Sequence, residues 1–300
     1  MSKEWNFISA VVYVRDDSEK TVSFFDALHS VLDTHFMQYE IVVVNASRED
    51  YALPRLRKWA DGLQKPLTII NMSLRQAHEQ CMNAGLDITI GDYVYEFDGT
   101  DMPYPETIIW DAYQLAMSGN DIVTVCPRTV RGWSRMFYRI FNANSNAAYE
   151  LRTDVFRLVS RRAINRAHAM GDNLPYRKAA YASCGLKMSV LEFDGAVTGK
   201  KTERFELAMD SLTLYTSFGY KFSLGLTVCM FVAALAELVY TITVWLTGSP
   251  ISGWTTTMFV LTLGLAGLFA ILAITIKYLT LILKLIFQKQ KYLIESTERL

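Results

Sequence analysis

Three short acidic segments and one arginine-rich segment carry the side chains in this 300-residue chain best suited to chemistry: YVRDD (13–17), NASRED (45–50), DGTD (98–101) and residues 128–166. Asp98 and Asp101 follow the apolar run YVYEF and precede a proline-containing turn. A carboxylate there can hold Mg2+ or Mn2+ against a nucleoside diphosphate. The same residues also have the composition of a turn and an N-cap before a helix at Pro105. Between Arg128 and Arg166 there are nine arginines, no lysine and two acids, Glu150 and Asp154. Solvated faces usually mix lysine with arginine, so arginine throughout points to forked recognition of phosphate oxygens. Arg131, Arg135 and Arg139 are spaced by four, which puts them on one helix face. Phe137, Tyr138, Ile140 and Phe141 between them make that helix amphipathic, so a basic face resting on anionic headgroups is the alternative reading.

The elements that must position these groups alternate. Apolar, β-branched runs at 7–14, 39–45, 67–72, 92–98 and 121–126 read as strands. Helical spacing fills 19–35, 54–63, 75–88 and 105–117. This order predicts an α/β fold with a mostly parallel, Rossmann-like sheet flanked by helices and right-handed crossovers. Ligands of such sheets bind at the carboxyl ends of the strands, where the three acidic segments fall. No GxGxxG follows the first strand and no GxxxxGK(S/T) occurs, which excludes dinucleotide and P-loop chemistry. Thirty basic and thirty acidic residues give no overall pull toward nucleic acid. Cys81, Cys126, Cys184 and Cys229 form no CxxC pair, which argues against a zinc site or a disulfide framework and suits a reducing compartment.

A hydrophobic content of 51% is high for a soluble pair of domains, and the excess lies at one end. Leu224–Leu246 holds one ionisable group, Glu237, and Thr255–Ile276 holds none. Each run exceeds the about 20 residues a helix needs to span a bilayer. Lys221 precedes the first run and Lys277, Lys284, Lys289 and Lys291 follow the second, while the connector TGSPISGW is uncharged. The positive-inside rule then places both termini in the cytoplasm, with the chain multi-pass in the inner (plasma) membrane. Lys277, Lys284 and Lys291 recur every seven residues, predicting a helix with one basic stripe that either lies along the anionic inner leaflet as an amphipathic tail or simply continues the second helix into water. Glu237 in mid-span is costly if ionised, so it is expected at a helix contact, with Gly264, Ala266 and Ala270 permitting close approach in a homo-oligomer.

The segments AVVYVRDD (10–17), YEIVVVNAS (39–47), MNAGLDITIGDYVYEFDGTD (82–101), PRTVRGWSRMFYRIFN (127–142) and VFRLVSRRAIN (155–165) together resemble the polyisoprenyl-phosphate glycosyltransferases. These inverting enzymes of GT-A fold include dolichol-phosphate mannose synthase and bacterial undecaprenyl-phosphate glucosyltransferases. Near the apolar runs, LAMDSLTLYTS (207–217), SGWTT (252–256) and IKYLTLILKLIFQKQKYLI (276–294) are similar to that family's juxtamembrane helix, inter-helix turn and tail. The resemblance implies a cytoplasmic GT-A domain over 1–200, a juxtamembrane amphipathic helix over 201–221, two transmembrane helices within 222–276, and a basic tail over 277–300. It implies transfer of a sugar, with inversion, from a UDP- or GDP-sugar to a polyprenyl phosphate, with Mg2+ or Mn2+ as cofactor and membrane lipid around the helices.

By position, Tyr13, Val14 and Asp17 border the nucleotide base and ribose, with Asn45 at the end of the next strand. Asp98 is the first acid of the family's Asp-x-Asp motif, and Asp101 is the displaced second acid, because Thr100 occupies the third place. Arg128 matches the phosphate-binding arginine after the fifth strand and Arg139 the one on the following helix, so Asp98, Asp101 and Arg128 are the implied catalytic set. Arg131, Arg135 and Arg139 join Arg128 toward the lipid phosphate, as does Arg157 in a Phe-Arg-Leu motif. Two further departures are Asn45-Ala46 where the family carries paired acids, and Val155 where it carries an acid, with Asp154 one place away. A non-catalytic, membrane-anchored relative that binds a nucleotide sugar or lipid phosphate for a partner is the competing expectation.

The lysine asymmetry generates a direct check. Cysteine introduced at Ser249 is expected to react with a membrane-impermeant maleimide from outside the cell, and cysteine at Ser296 only after permeabilisation; the reverse pattern would overturn the orientation.

Overall fold

The computed structural model describes residues 3–15, 19–47, 53–63, 65–73, 76–130, 132–145, 147–170, 176–196, 218–248, 253–287 and 292–300. Asp17, Arg131 and most of the expected juxtamembrane helix (201–217) lie outside them. The chain divides into two compact units, Met1–Arg204 with Phe287–Leu300, and Phe205–Ile286.

In the first unit the described residues form one sheet of eight strands, β1 (Ile8–Val14), β2 (Tyr39–Asn45), β3 (Leu67–Met72), β4 (Tyr93–Phe97), β5 (Ile122–Thr129), β6 (Phe156–Ser160), β7 (Met188–Ala196) and β8 (Ile294–Arg299). Their order is β7-β5-β6-β4-β1-β2-β3-β8, parallel except at β6 and β8. Helices α1 (Glu19–His35), α2 (Pro54–Ala60), α3 (His78–Ile88), α4 (Thr107–Met117), α5 (Gly132–Asn144), α6 (Arg161–Met170) and α7 (Arg177–Ser183) connect the strands. The expected GT-A-like α/β architecture is therefore present.

Strand alternation explains the two core layers. On β1, Ile8, Ala10, Val12 and Val14 face α1 and α4, where Phe25, Leu28, Ile109 and Ala112 are fully buried. Val11 faces the opposite way, toward Met82 and Ala84 of α3 and Ala163 of α6. A sheet covered on both faces needs near-continuous apolar strands, which is how β1, β2 and β3 read. Each such side chain contributes about 1.5–3 kcal/mol on burial. Register aligns the carboxyl ends: Val14 pairs with Asn45, and Asn45 with Asn71. The chain proceeds from β1 outward through β2 and β3, then restarts on the other side of β1 with β4. That reversal is a topological switch point, the place where ligands of open α/β sheets bind.

In the second unit α8 (Phe218–Thr247) and α9 (Trp254–Phe287) are long and apolar enough to cross a membrane over Leu224–Thr247 and Trp254–Leu279. Only 6% of either apolar window is buried within the structure, unlike the core helix of a soluble protein. Thr227 donates to the Phe269 carbonyl across the hairpin (3.5 Å).

The tail departs from the expected helix. Helix α9 carries Lys277 and Lys284 as far as Phe287, but residues 294–299 form β8, antiparallel to β3. The seven-residue lysine period ends at Lys291, and IESTER beyond it has no apolar stripe that a helix could bury. Its pairing satisfies backbone groups on β3 that would otherwise form an open sheet edge.

Candidate active site

Glu96 sits in the middle of β4, between Tyr95 and Phe97, and is fully buried. Strand alternation sends Tyr95 and Phe97 into one core layer and Val94 into the other, so Glu96 and then Asp98 point to the side of α3 and α7. A lone carboxylate there is untenable, and two guanidiniums and a tyrosine hydroxyl meet it. Arg157, the cross-strand partner of Glu96 on β6, donates to Glu96 Oε2 (3.1 Å), Asp98 Oδ2 (2.7 Å) and Asp154 Oδ2 (3.0 Å). Arg177, at the start of α7, donates to Glu79 Oε2 (2.8 Å), to Asp98 Oδ1 (2.8 Å) and to Glu96 Oε2. Tyr181, one turn on, donates its hydroxyl to Glu96 Oε1. Lys178 pairs with Asp154 and donates to the Tyr138 hydroxyl of α5 (3.1 Å).

The network contains four carboxylates (Glu79, Glu96, Asp98, Asp154) and three cations (Arg157, Arg177, Lys178), with His78 at its edge beside Asp98. The side chains of Glu79, Glu96 and Asp154 are at most 7% exposed, whereas that of Asp98 is 31% exposed. Asp98 is therefore the carboxylate of this network that reaches the surface. Burial alone would raise the Asp98 pKa, but the Arg157 and Arg177 guanidiniums, with His78, hold it well below the usual carboxylate range. Burial likewise opposes charge on the two arginines, and is outweighed by carboxylates, Asp154 foremost for Arg157 and Glu79 for Arg177. Since the Asp98 pKa is lowered on folding, its contribution to stability is present above the unfolded value of about 4 and is lost as pH falls through the folded one.

Other expected residues gather around this point. The Tyr13 ring at the end of β1 meets the His78 ring edge-on at 4.4 Å. His78 Nε2 lies 3.3 Å from the Asp98 carbonyl and 3.9 Å from its carboxylate. Val14 accepts the Ala46 amide (2.9 Å), and Asn45 Oδ1 accepts the Ser47 amide (3.1 Å). Thr100 is partly exposed and Asp101 exposed.

The arginines divide into two groups. Arg135 and Arg139 are exposed on α5, as their spacing predicts. Arg128 is held on β7, by Asp194 (3.0 Å) and Glu192 (3.8 Å). Arg157, expected beside a lipid phosphate, is instead 1% exposed with its fork occupied by three carboxylates, because β4 and β6 bring it opposite Glu96. His78, Glu79, Glu96, Arg177, Lys178 and Tyr181 were not expected at the site. Glu96 carried a readable signal, a charge inside an otherwise apolar central strand.

Residues 25–185 match glycosyl transferase family 2, over half the chain. The chain belongs to that family. A relative described as an uncharacterized glycosyltransferase of Synechocystis is 25% identical over 194 residues, 62% of this chain and 60% of that protein's length, somewhat less than two thirds. A bactoprenol glucosyl transferase of Shigella phage SfV is 23% identical over 264 residues, 82% of this chain and 84% of the phage protein. A prophage bactoprenol glucosyl transferase homolog of Escherichia coli is 24% identical over 70% of this chain and 72% of its own length. Among solved structures, a Pyrobaculum calidifontis mannosyltransferase in complex with GDP-Man and Mn2+ aligns with TM-score 0.52 and 13% identity, over 94% of this chain and 88% of that one. Glucosyl-3-phosphoglycerate synthase of Mycobacterium tuberculosis aligns with TM-score 0.51 and 12% identity, over 69% and 78%. These two establish the shared family fold.

The buried network makes a stability prediction. Arg177→Met removes the guanidinium from Glu79, from one oxygen of Asp98 and from Glu96, which keeps only Arg157 and Tyr181, and is expected to cost about 3–5 kcal/mol in denaturant unfolding of the detergent-solubilised chain. Arg177→Lys is expected to recover only part, because a point charge cannot serve three carboxylates as a fork does. An unchanged unfolding midpoint for Arg177→Met would contradict the network.

Proposed function

We propose that this chain transfers a sugar from a UDP- or GDP-sugar to a polyprenyl phosphate at the cytoplasmic face of the membrane, with inversion at the anomeric carbon. The observation that carries the reading is Asp98, an ionised and partly exposed carboxylate presented at the sheet's switch point by a buried arginine network. Family membership and the bactoprenol glucosyl transferases among the relatives support the reaction class. The two apolar helices support a lipid acceptor. Strand β8 follows the second helix yet pairs in the same sheet as β1, which supports an even number of crossings. Glu237, partly buried on α8, is the group we assign to contact with a second copy.

The donor set suits a divalent cation. Asp98 is ionised and has an open side, and Asp101 is exposed three residues on. No group of three or more ligating side chains exists among the described residues. Such a site matches Mg2+ or Mn2+ bound by one or two carboxylates and completed by substrate phosphates and water. Bound by Asp98 and Asp101, the cation would offset charge on the departing diphosphate.

The protein's own groups do the rest. Tyr13, Val14 and Asn45 border the nucleoside. A phosphate monoester has a second pKa of about 6, so the acceptor is already largely anionic at neutral pH and needs no general base. Its oxygen forms the new bond to the anomeric carbon as the bond from that carbon to the diphosphate oxygen breaks, and the electron pair leaves with the nucleoside diphosphate. Arg135 and Arg139, on the exposed face of α5, are assigned to the acceptor phosphate, together with Arg128 and with Arg131, which lies outside the described residues. Arg157 is assigned to positioning Asp98.

The test is a membrane assay with radiolabelled UDP-, GDP- and dTDP-sugars followed by extraction of lipid-linked product. One donor is expected to label polyprenyl phosphate, and Asp98→Asn to abolish that turnover. Arg139→Ala is expected to raise the KM for lipid about ten- to hundredfold, the equivalent of one charge-assisted hydrogen bond, with Arg139→Lys intermediate. Absence of product with every donor would favour the non-catalytic reading.

A further inference from the structure

The last residues of the chain reach the donor side of the sheet through side chains as well as backbone. On β8, Glu298 Oε1 accepts from Arg57 of α2 (2.8 Å) and from Asn71 Nδ2 of β3 (2.8 Å). The same Asn71 nitrogen donates to Ser296 Oγ (2.9 Å). Asn71 Oδ1 then accepts from Asn45 Nδ2 (2.8 Å), which leaves Asn45 Oδ1 to accept the Ser47 amide (3.1 Å) and shape the loop after β2. Asn45 is only 5% exposed.

This chain of bonds has a direction. A carboxylate only accepts, whereas an amide end can do either by turning over. Glu298 therefore forces the Asn71 NH2 toward β8, its oxygen toward Asn45, and the Asn45 oxygen toward the loop. With an amide at 298, the opposite orientation of both asparagines becomes available, and the Ser47 amide would then face an NH2 group.

We propose that β8 sets the orientation of Asn45, with Glu298 and Asn71 as positioning residues, so that the segment following the second apolar helix controls affinity for the nucleotide of the donor. The inference rests on the assignment of Asn45 to the nucleoside side of the proposed transferase. It adds a dependence that the site itself does not display: the donor loop is completed only when the chain has passed through the hairpin and returned to the sheet edge.

Deleting β8 would also open the β3 edge, including the reciprocal Leu67 and Leu300 backbone bonds, so side-chain variants of the full-length protein are the appropriate test. Calorimetry with UDP, GDP and dTDP, donor and lipid KM, and the side-chain amide signal of Asn45 in 15N-asparagine-labelled protein would be compared across variants. Glu298→Gln and Asn71→Asp are each expected to raise the nucleotide Kd and donor KM about tenfold, leave lipid KM unchanged, and shift the Asn45 signal. The double variant restores an acceptor-only group, now at 71, facing an amide donor at 298, and is expected to return Kd to within about twofold of wild type. A merely structural role would lower stability in all three variants and would not be rescued by this exchange. An Asn45 signal and Kd that do not respond to either single change overturn the inference. A signal that moves in a wild-type protein binding none of the three nucleotides overturns the donor assignment, and the affinity claim with it.

Discussion

Glu96 is a carboxylate in the middle of a central strand, and much of the site follows from the need to compensate it. An isolated charge at that depth would be neutralised or would unfold the sheet. Arg157 reaches it from the adjacent strand, Arg177 from α7, and the Tyr181 hydroxyl caps its other oxygen. Two guanidiniums offer more donors than Glu96 can accept, so their remaining arms extend to Glu79, Asp154 and Asp98. Asp98 is thus fixed in position and held ionised while one side stays open. The desolvation cost of so many buried charges makes such a cluster poor evidence for stability in itself. Its value here is geometric: it fixes a carboxylate where β4 ends and the topology opens a crevice.

The same network extends toward α5. Lys178 bridges Asp154 and the Tyr138 hydroxyl and lies 5.4 Å from the Tyr138 ring centroid, which ties the helix bearing Arg135 and Arg139 to the groups behind Asp98. On the opposite flank His78 links Asp98 to Tyr13. The residues we assign to donor and acceptor are therefore referenced to one buried set of charges. This explains why Arg157 cannot also serve a lipid phosphate: its donors are consumed by neighbours in the sheet.

Much of this was legible in the sequence, for physical reasons. Strands β1 to β5 are continuous apolar runs because both faces of the sheet are covered, and the acidic residues after them mark its carboxyl edge. The two apolar helices were evident from length alone. Arg135 and Arg139 were found by a four-residue spacing that survives as one exposed helix face. Arg177 and Glu79 were not legible, since their meaning depends on α3 and α7 meeting beneath β4, nearly a hundred residues apart. Strand β8 was missed because five of its six residues are polar and carry almost no hydrophobic signal, and the preceding lysine period suggested a helix.

The buried network holds Asp98 ionised with one side open, and we propose that this carboxylate is available to a divalent cation together with a nucleoside diphosphate. Electron paramagnetic resonance titration of Mn2+ into the purified protein, with and without UDP or GDP, measures this directly. Wild type is expected to bind Mn2+ more tightly in the presence of its nucleotide. Asp98→Asn should lose that gain while nucleotide binding in the absence of metal persists. Identical Mn2+ binding by wild type and Asp98→Asn would contradict the account.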